Sequence, residues 1–227
     1  MRVLAVETST EHCSVALHEG GSVLSHGELA GQRHSEILLG MVEKMLAEAG
    51  CTMQDVDGIA FGAGPGSFTG VRIAASVAQG LALGLGIPVM PVCTLEALAE
   101  ASGCRRVACA LDARLDEVYF AAYERSGSAW RALVEPCLAS IGELPMLPGA
   151  EWVGVGSGFG ILEHALTHHL QLAEVRTESF PEARAVAVLG AHMLEQGAAL
   201  DASAAQPIYL RDKVAMTTRE RHALGYK

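Results

Sequence analysis

The chain lacks any stretch in which Lys and Arg gather into a stripe, and its formal net charge is −10 at pH 7. A protein that grips RNA unaided neutralises phosphates with such a cluster, so if RNA is the substrate a partner holds it. No apolar run reaches the roughly 18–20 residues of a membrane span. The most apolar segment, Val77 to Val92, is broken by Gln79, by glycines and by Pro88. Nor does the N-terminus read as an export signal. Arg2 is followed by only four apolar residues before Glu7, where a signal needs about 7–15. A cytoplasmic protein with no membrane partner is expected. The six cysteines, Cys13, Cys51, Cys93, Cys104, Cys109 and Cys137, form no CxxC and no metal-type spacing. They read as reduced, mostly buried thiols. With 50% hydrophobic and 19% charged residues, disorder is excluded.

What is present is an α/β pattern written twice. The 227 residues suit one large domain or two small ones. Arg2 to Val6 and Ser14 to Leu17 are short apolar runs, and Gly20-Gly21 turns the chain into a third, Ser22 to Leu29. Ile37, Leu38, Met41, Val42, Met45 and Leu46 recur with helical spacing over His34 to Ala49, and Gly50 stands at the C-terminal cap. A strand Val56 to Phe61, a loop Gly62 to Ser67, a helix Thr69 to Leu85, a strand Ile87 to Val92 and a helix from Thr94 to Ala101 follow.

Near Cys104 the pattern restarts. Arg106 to Leu111, Glu117 to Tyr123 and Arg131 to Leu138 are strands, with a turn at Ser126 to Ser128. Trp152 to Val155 is a further strand, and helices cover about Ile161 to His169 and Pro181 to Gln196. Three meandering strands followed by alternating helices and strands predict mixed sheets with helices packed on them. The actin, sugar-kinase and Hsp70 superfamily is built this way, with nucleotide between the copies. Periodicity alone does not separate it from other ribonuclease-H-like pairs. The predicted fold is two such actin-like ATPase (ASKHA) lobes related by duplication, the second reduced. The first lobe covers residues 1–104 joined by 206–227, and the second covers 105–205.

Four segments carry a family resemblance. Val3 to Thr10 resembles the first strand and phosphate loop shared by TsaB and its catalytic relative TsaD. Gly64-Pro65-Gly66-Ser67-Phe68-Thr69-Gly70-Val71-Arg72, followed by Ala78 to Ala82, is the strongest match to the TsaB (YeaZ) pattern. Asp112-Ala113-Arg114 with Glu117-Val118-Tyr119 is the third, and Pro207 to Arg211 the fourth. The resemblance implies association with a TsaD-like subunit, which transfers a threonylcarbamoyl group to adenosine 37 of ANN-decoding tRNAs. A TsaE-like ATPase completes the complex, and tRNA is met only through it. TsaD-like proteins bind a metal through two histidines, three residues between them, on one helix face. Here the matching positions are Thr94 and Leu98. The chain is therefore expected to be non-catalytic and metal-free, and the missing pair also opposes a metallopeptidase.

The remaining candidates each have two readings. Glu7, Thr8, Ser9 and Thr10, with Asp112 in the second half and Gly156 and Gly158 beside an adenine, offer an ATP or ADP contact. They serve equally as polar strand ends and turns. The glycines that wrap phosphates are missing after both acids, so no cofactor is required, and a small-molecule kinase or ATPase is the alternative class. The loop holding Gly64, Pro65, Gly66, Ser67 and Gly70 reads as a tight turn supporting an interface rather than an anion site, because no lysine accompanies it. The helix Thr69 to Leu85 has no charge after Arg72, so it is either buried core or a partner surface. The resemblance favours the surface. Ile37, Leu38, Met41, Met45, Val71, Ala74, Ala75, Ala78, Leu81 and Ala82 are the candidate contacts, shared by the TsaD-like partner and a homodimer of the isolated chain. The histidines lack ligand spacing on any one element. Asp116 and Glu117, as strand neighbours, face opposite sides and form no acid–base pair.

Overall fold

The computed structural model describes residues 1–211, with residues 161–164 described by their backbone alone. Strands β1 (Arg2–Glu7), β2 (His12–Glu19) and β3 (Ser22–Leu29) form an antiparallel meander. Helix α1 (His34–Ala49) then leads to β4 (Gly58–Gly64), α2 (Phe68–Leu85), β5 (Val89–Cys93) and α3 (Thr94–Ser102). Strands β4 and β5 add in parallel, giving the order β3-β2-β1-β4-β5.

The second sheet repeats this plan. Strands β6 (Arg106–Asp112), β7 (Glu117–Ser126) and β8 (Ala129–Ser140) form the meander. After β9 (Val153–Val155), α4 (Gly158–Leu170) and β10 (Glu174–Arg176), the sheet order is β10-β9-β6-β7-β8. Read outward from the meander, the two orders are the same, which is the duplication expected from the sequence. The second copy is reduced: a 3₁₀ turn, Ile141–Glu143, stands where the first copy has α1.

Five layers result. Alternation along β1 sends Leu4 and Val6 to one face, where Leu38, Val42 and Met45 of α1 meet Ala74, Ala78 and Ala82 of α2. It sends Val3 and Ala5 to the other face, against α5 (Ala183–Glu195). Leu95 and Leu98 of α3 pack on Val107 and Cys109 of the second sheet. Beyond that sheet α4 covers Ala108, Ala110 and Phe120 through Leu166 and Leu170. The two central helices are thus exchanged relative to a division of the chain at 104/105. Helix α3 precedes that point but packs on the second sheet, and α5 follows it but packs on the first.

Three local readings change. Strand β4 runs on through Gly62 and Gly64, which pair with Val92 and Cys93, so the loop begins later than the glycines suggested. Strand β10 was not anticipated; it is three residues that pair only with β9. Helix α2, with 18 residues at a mean hydropathy of 1.3, does have the length and composition of a membrane span. It belongs instead to the first lobe, packed on β4 with six residues buried. Of the C-terminal segment, residues 206–211 return to the first lobe, where the Ile208 amide donates to the Ala63 carbonyl at 2.7 Å. Residues 212–227 lie outside the described residues.

Candidate functional site

The two lobes enclose a cleft of about 1170 Å³. Its first-lobe wall is the β1–β2 turn and the start of α2, its second-lobe wall is the β6–β7 turn, and residues 208–211 border its mouth. Three of the four motif segments therefore meet along it, and the fourth borders its mouth.

The carboxyl of Glu7 does not reach this cleft. Glu7 is fully buried, its Oε1 accepts from the Ser9 amide at 2.5 Å, and its Oε2 has no partner. A Cβ placed on Gly62 would lie 1.8 Å from that Oε2, so glycine at 62 makes room for the carboxyl. Burial raises the Glu7 pKa to about 7, against the opposing hydrogen bonds from Ser9 and Thr8. Thr8 is also internal, and its hydroxyl donates to the Gly70 carbonyl at 2.7 Å. The loop of Gly66 and Gly70 presses onto this turn. A Cβ on Gly70 would lie 1.9 Å from the Thr8 oxygen, and one on Gly66 would lie 2.5 Å from the Ser9 oxygen. The Ser67 amide donates to that same Ser9 carbonyl at 2.7 Å, and Ser67 caps α2 by accepting from the Gly70 amide. These bonds join the β1–β2 turn to the start of α2.

Of the nucleotide candidates, Ser9, Thr10 and Asp112 line the cleft. Ser9 Oγ is buried without a partner. The Asp112 carboxylate is occupied: it accepts from the Arg114 amide at 2.8 Å and pairs with the Arg114 guanidinium at 2.9 Å. Gly156 and Gly158 are buried and lie close against Ala110 of β6. A Cβ on Gly156 would lie 2.4 Å from the Ala110 carbonyl oxygen, and one on Gly158 would lie 2.9 Å from the Ala110 Cβ.

The two positions that would carry metal ligands do not fit a metal. The Thr94 hydroxyl accepts from the Gly64 amide at 3.0 Å, and Leu98 is fully buried in the core between α3 and the second sheet. Among the described residues no group of three potential ligand side chains converges.

The outward face of α1 and α2 is the other feature of the site. Seven of the ten contacts expected from sequence, Leu38, Met45, Val71, Ala74, Ala75, Ala78 and Ala82, are buried inside the monomer against the sheet. Ile37, Met41 and Leu81 are half-buried along the edge of that core. The surface is made instead by Leu39 and Gly40 of α1 and by Ser76, Gly80, Leu83 and Gly84 of α2. Leu39 is 49% exposed and Leu83 58%. The sequence did hold a signal. Arg72, Ser76, Gly80 and Gly84 are spaced by four, a polar and small stripe that marks the side of α2 with least reason to enter a core.

Comparison with known proteins accords with this geometry. A family model described as "TsaD: tRNA N6-adenosine threonylcarbamoyltransferase" matches residues 18–219. The tRNA threonylcarbamoyladenosine biosynthesis protein TsaB of Escherichia coli K12 is 36% identical over 225 residues, covering 95% of this chain and 96% of that one. TsaB of Haemophilus influenzae is 34% identical over 227 residues, covering 94% and 95%. The solved structure of YeaZ from Pseudomonas aeruginosa superposes with a TM-score of 0.84 at 38% identity, over 92% of this chain and 99% of that one. Identity of this extent over nearly the full length, on a shared fold, places the chain in the TsaB (YeaZ) family.

Proposed function

We propose that this chain is a non-catalytic subunit in threonylcarbamoyladenosine biosynthesis, acting at adenosine 37 of ANN-decoding tRNAs by docking and activating a TsaD-like catalytic subunit. The observation that carries the reading is the outward face of α1 and α2. On α2 it presents Ser76, Gly80, Leu83 and Gly84, and on α1 Leu39 and Gly40 beside Glu36 and Glu43, so small residues let another helix approach closely around two exposed leucines within a charged rim. Burying the part of Leu83 that is still exposed, 58% of it, is worth about 1–2 kcal/mol. The isolated chain covers the same face by pairing with itself, and the homodimer competes with the heterodimer. A TsaE-like ATPase joins the complex, and tRNA is held through it rather than by this acidic chain.

The non-catalytic role is supported by Thr94 and Leu98, which supply no metal donor set, and by Glu7, which is sealed from the cleft. The latter also weighs against a kinase. No cofactor is required, and contact with ATP or ADP is confined to Ser9, Thr10 and Asp112. Reconstitution tests this directly. The purified chain, given tRNA and the activated threonylcarbamoyl intermediate, forms no modified nucleoside until the catalytic subunit is added. Product formation by the chain alone would refute the proposal.

A further inference from the structure

At the N-terminal end of the exposed stripe three side chains from two parts of the chain are stacked. The Arg72 guanidinium carbon lies 3.4 Å from the Phe68 ring centroid and 5.4 Å from that of Tyr209. The two rings are 6.2 Å apart, and Arg72 Nε donates to the Tyr209 hydroxyl at 2.8 Å. All three side chains face solvent, Phe68 at 43% and Tyr209 at 49% exposure. Arg72 is the only charge in α2, and among the described residues it meets no carboxylate. The rings and the Tyr209 hydroxyl orient the guanidinium and leave its Nη1 and Nη2 edge without a carboxylate among the described residues. A planar guanidinium set between two rings suits an oxyanion accepting from both nitrogens, and on a protein partner that group is a carboxylate. Arg and Tyr are among the residue types enriched where binding energy concentrates in protein interfaces.

We propose that this stack anchors the docked subunit, so that the interface continues from the α1–α2 stripe onto residues 207–209. The occupant is the catalytic subunit, presenting an Asp or Glu side chain to Arg72. The inference rests on the docking reading above, and continuity supports it: Arg72, Ser76, Gly80 and Gly84 form one i, i+4 ridge that slants across the exposed side of the helix. The charge of the group sought follows from Arg72 being a cation that meets no carboxylate among the described residues.

The test is the affinity of the full chain for the purified catalytic subunit at about 0.05 and 0.5 M salt. Arg72→Ala is expected to weaken binding on the order of 30-fold at low salt and to remove most of the salt dependence. Arg72→Lys is expected to keep the salt dependence but recover only part of the affinity, because a lysine has no fork. Leu83→Glu is the companion variant and removes binding at either salt. If Leu83→Glu abolishes binding while Arg72→Ala matches the parent in affinity and salt response, the anchor is overturned and the docking face stands. If both variants bind as the parent does, the docking reading itself is overturned. Melting curves of each variant identify a fold defect, and Arg72→Lys then decides the question in place of Arg72→Ala.

Discussion

Glu7 places its carboxyl deep in the first lobe, with one oxygen bonded to the Ser9 amide and the other facing Gly62. Its folded pKa lies above the unfolded value, so between about 4.5 and 7 the native state holds a proton that the unfolded chain releases. Stability from this group is therefore greatest at the acid end of the window and falls as pH rises through it, by roughly 3 kcal/mol. Denaturant midpoints of the parent chain and Glu7→Gln, measured at pH 5 and pH 8, check this. The variant should show a flatter dependence and gain relative to the parent at pH 8. Gly70 is the second informative residue. A methyl there would strike the Thr8 carbonyl at 1.9 Å, and neither backbone can yield without losing the bonds that join the loops. Gly70→Ala should cost about 3 kcal/mol, measured as a lowered denaturant midpoint.

At the scale of the element, α2 decides how the molecule is read. Its inner residues are core and its outer residues are surface, so the same change has opposite consequences on the two sides. Ala78→Glu puts an unpaired charge among fully buried residues and should destabilise the fold by several kcal/mol, seen as loss of a cooperative thermal transition. Leu83→Glu adds a charge to solvent and should leave stability within about 0.5 kcal/mol, as thermal melting would show. The sequence made α1 and α2 legible as elements, because the helical spacing of Ile37 to Leu46 and the glycines beyond each C-terminus are local signals. Which side of α2 faces out was hidden by its apolar composition, except for the stripe that begins at Arg72. Strand β10 was hidden because Glu174-Val175-Arg176 is too short to show alternation. That Gly156 and Gly158 make room for the neighbouring strand was not legible, because a glycine that admits a ligand and one that admits its own neighbouring strand look alike in sequence.

Across the whole molecule, residues 207–211 tie the lobes together at the mouth of the cleft. Ile208 bonds to the end of β4, while Arg211 reaches the Ala113 carbonyl at 2.9 Å and Glu117 at 2.7 Å in the other lobe. The half-buried Arg211–Glu117 pair adds little to global stability but fixes a turn in which Arg114, Leu115 and Asp116 all have positive φ. Arg211→Ala should raise amide exchange in residues 113–117 about ten-fold, equivalent to about 1.4 kcal/mol of local opening, without changing it in β1. The duplicated sheets, the exchanged central helices and this tie make a body whose cleft is bridged by residues 207–211 and whose proposed docking surface lies outside, on α1 and α2. The account therefore stands or falls on that surface. The most direct measurement is the yield of threonylcarbamoyladenosine on tRNA in a reaction reconstituted from the catalytic subunit, the ATPase and this chain, comparing the parent with folded Leu83→Glu. The account predicts that Leu83→Glu lowers product to the level seen with the chain omitted; full product from Leu83→Glu, with melting behaviour like the parent, would contradict it.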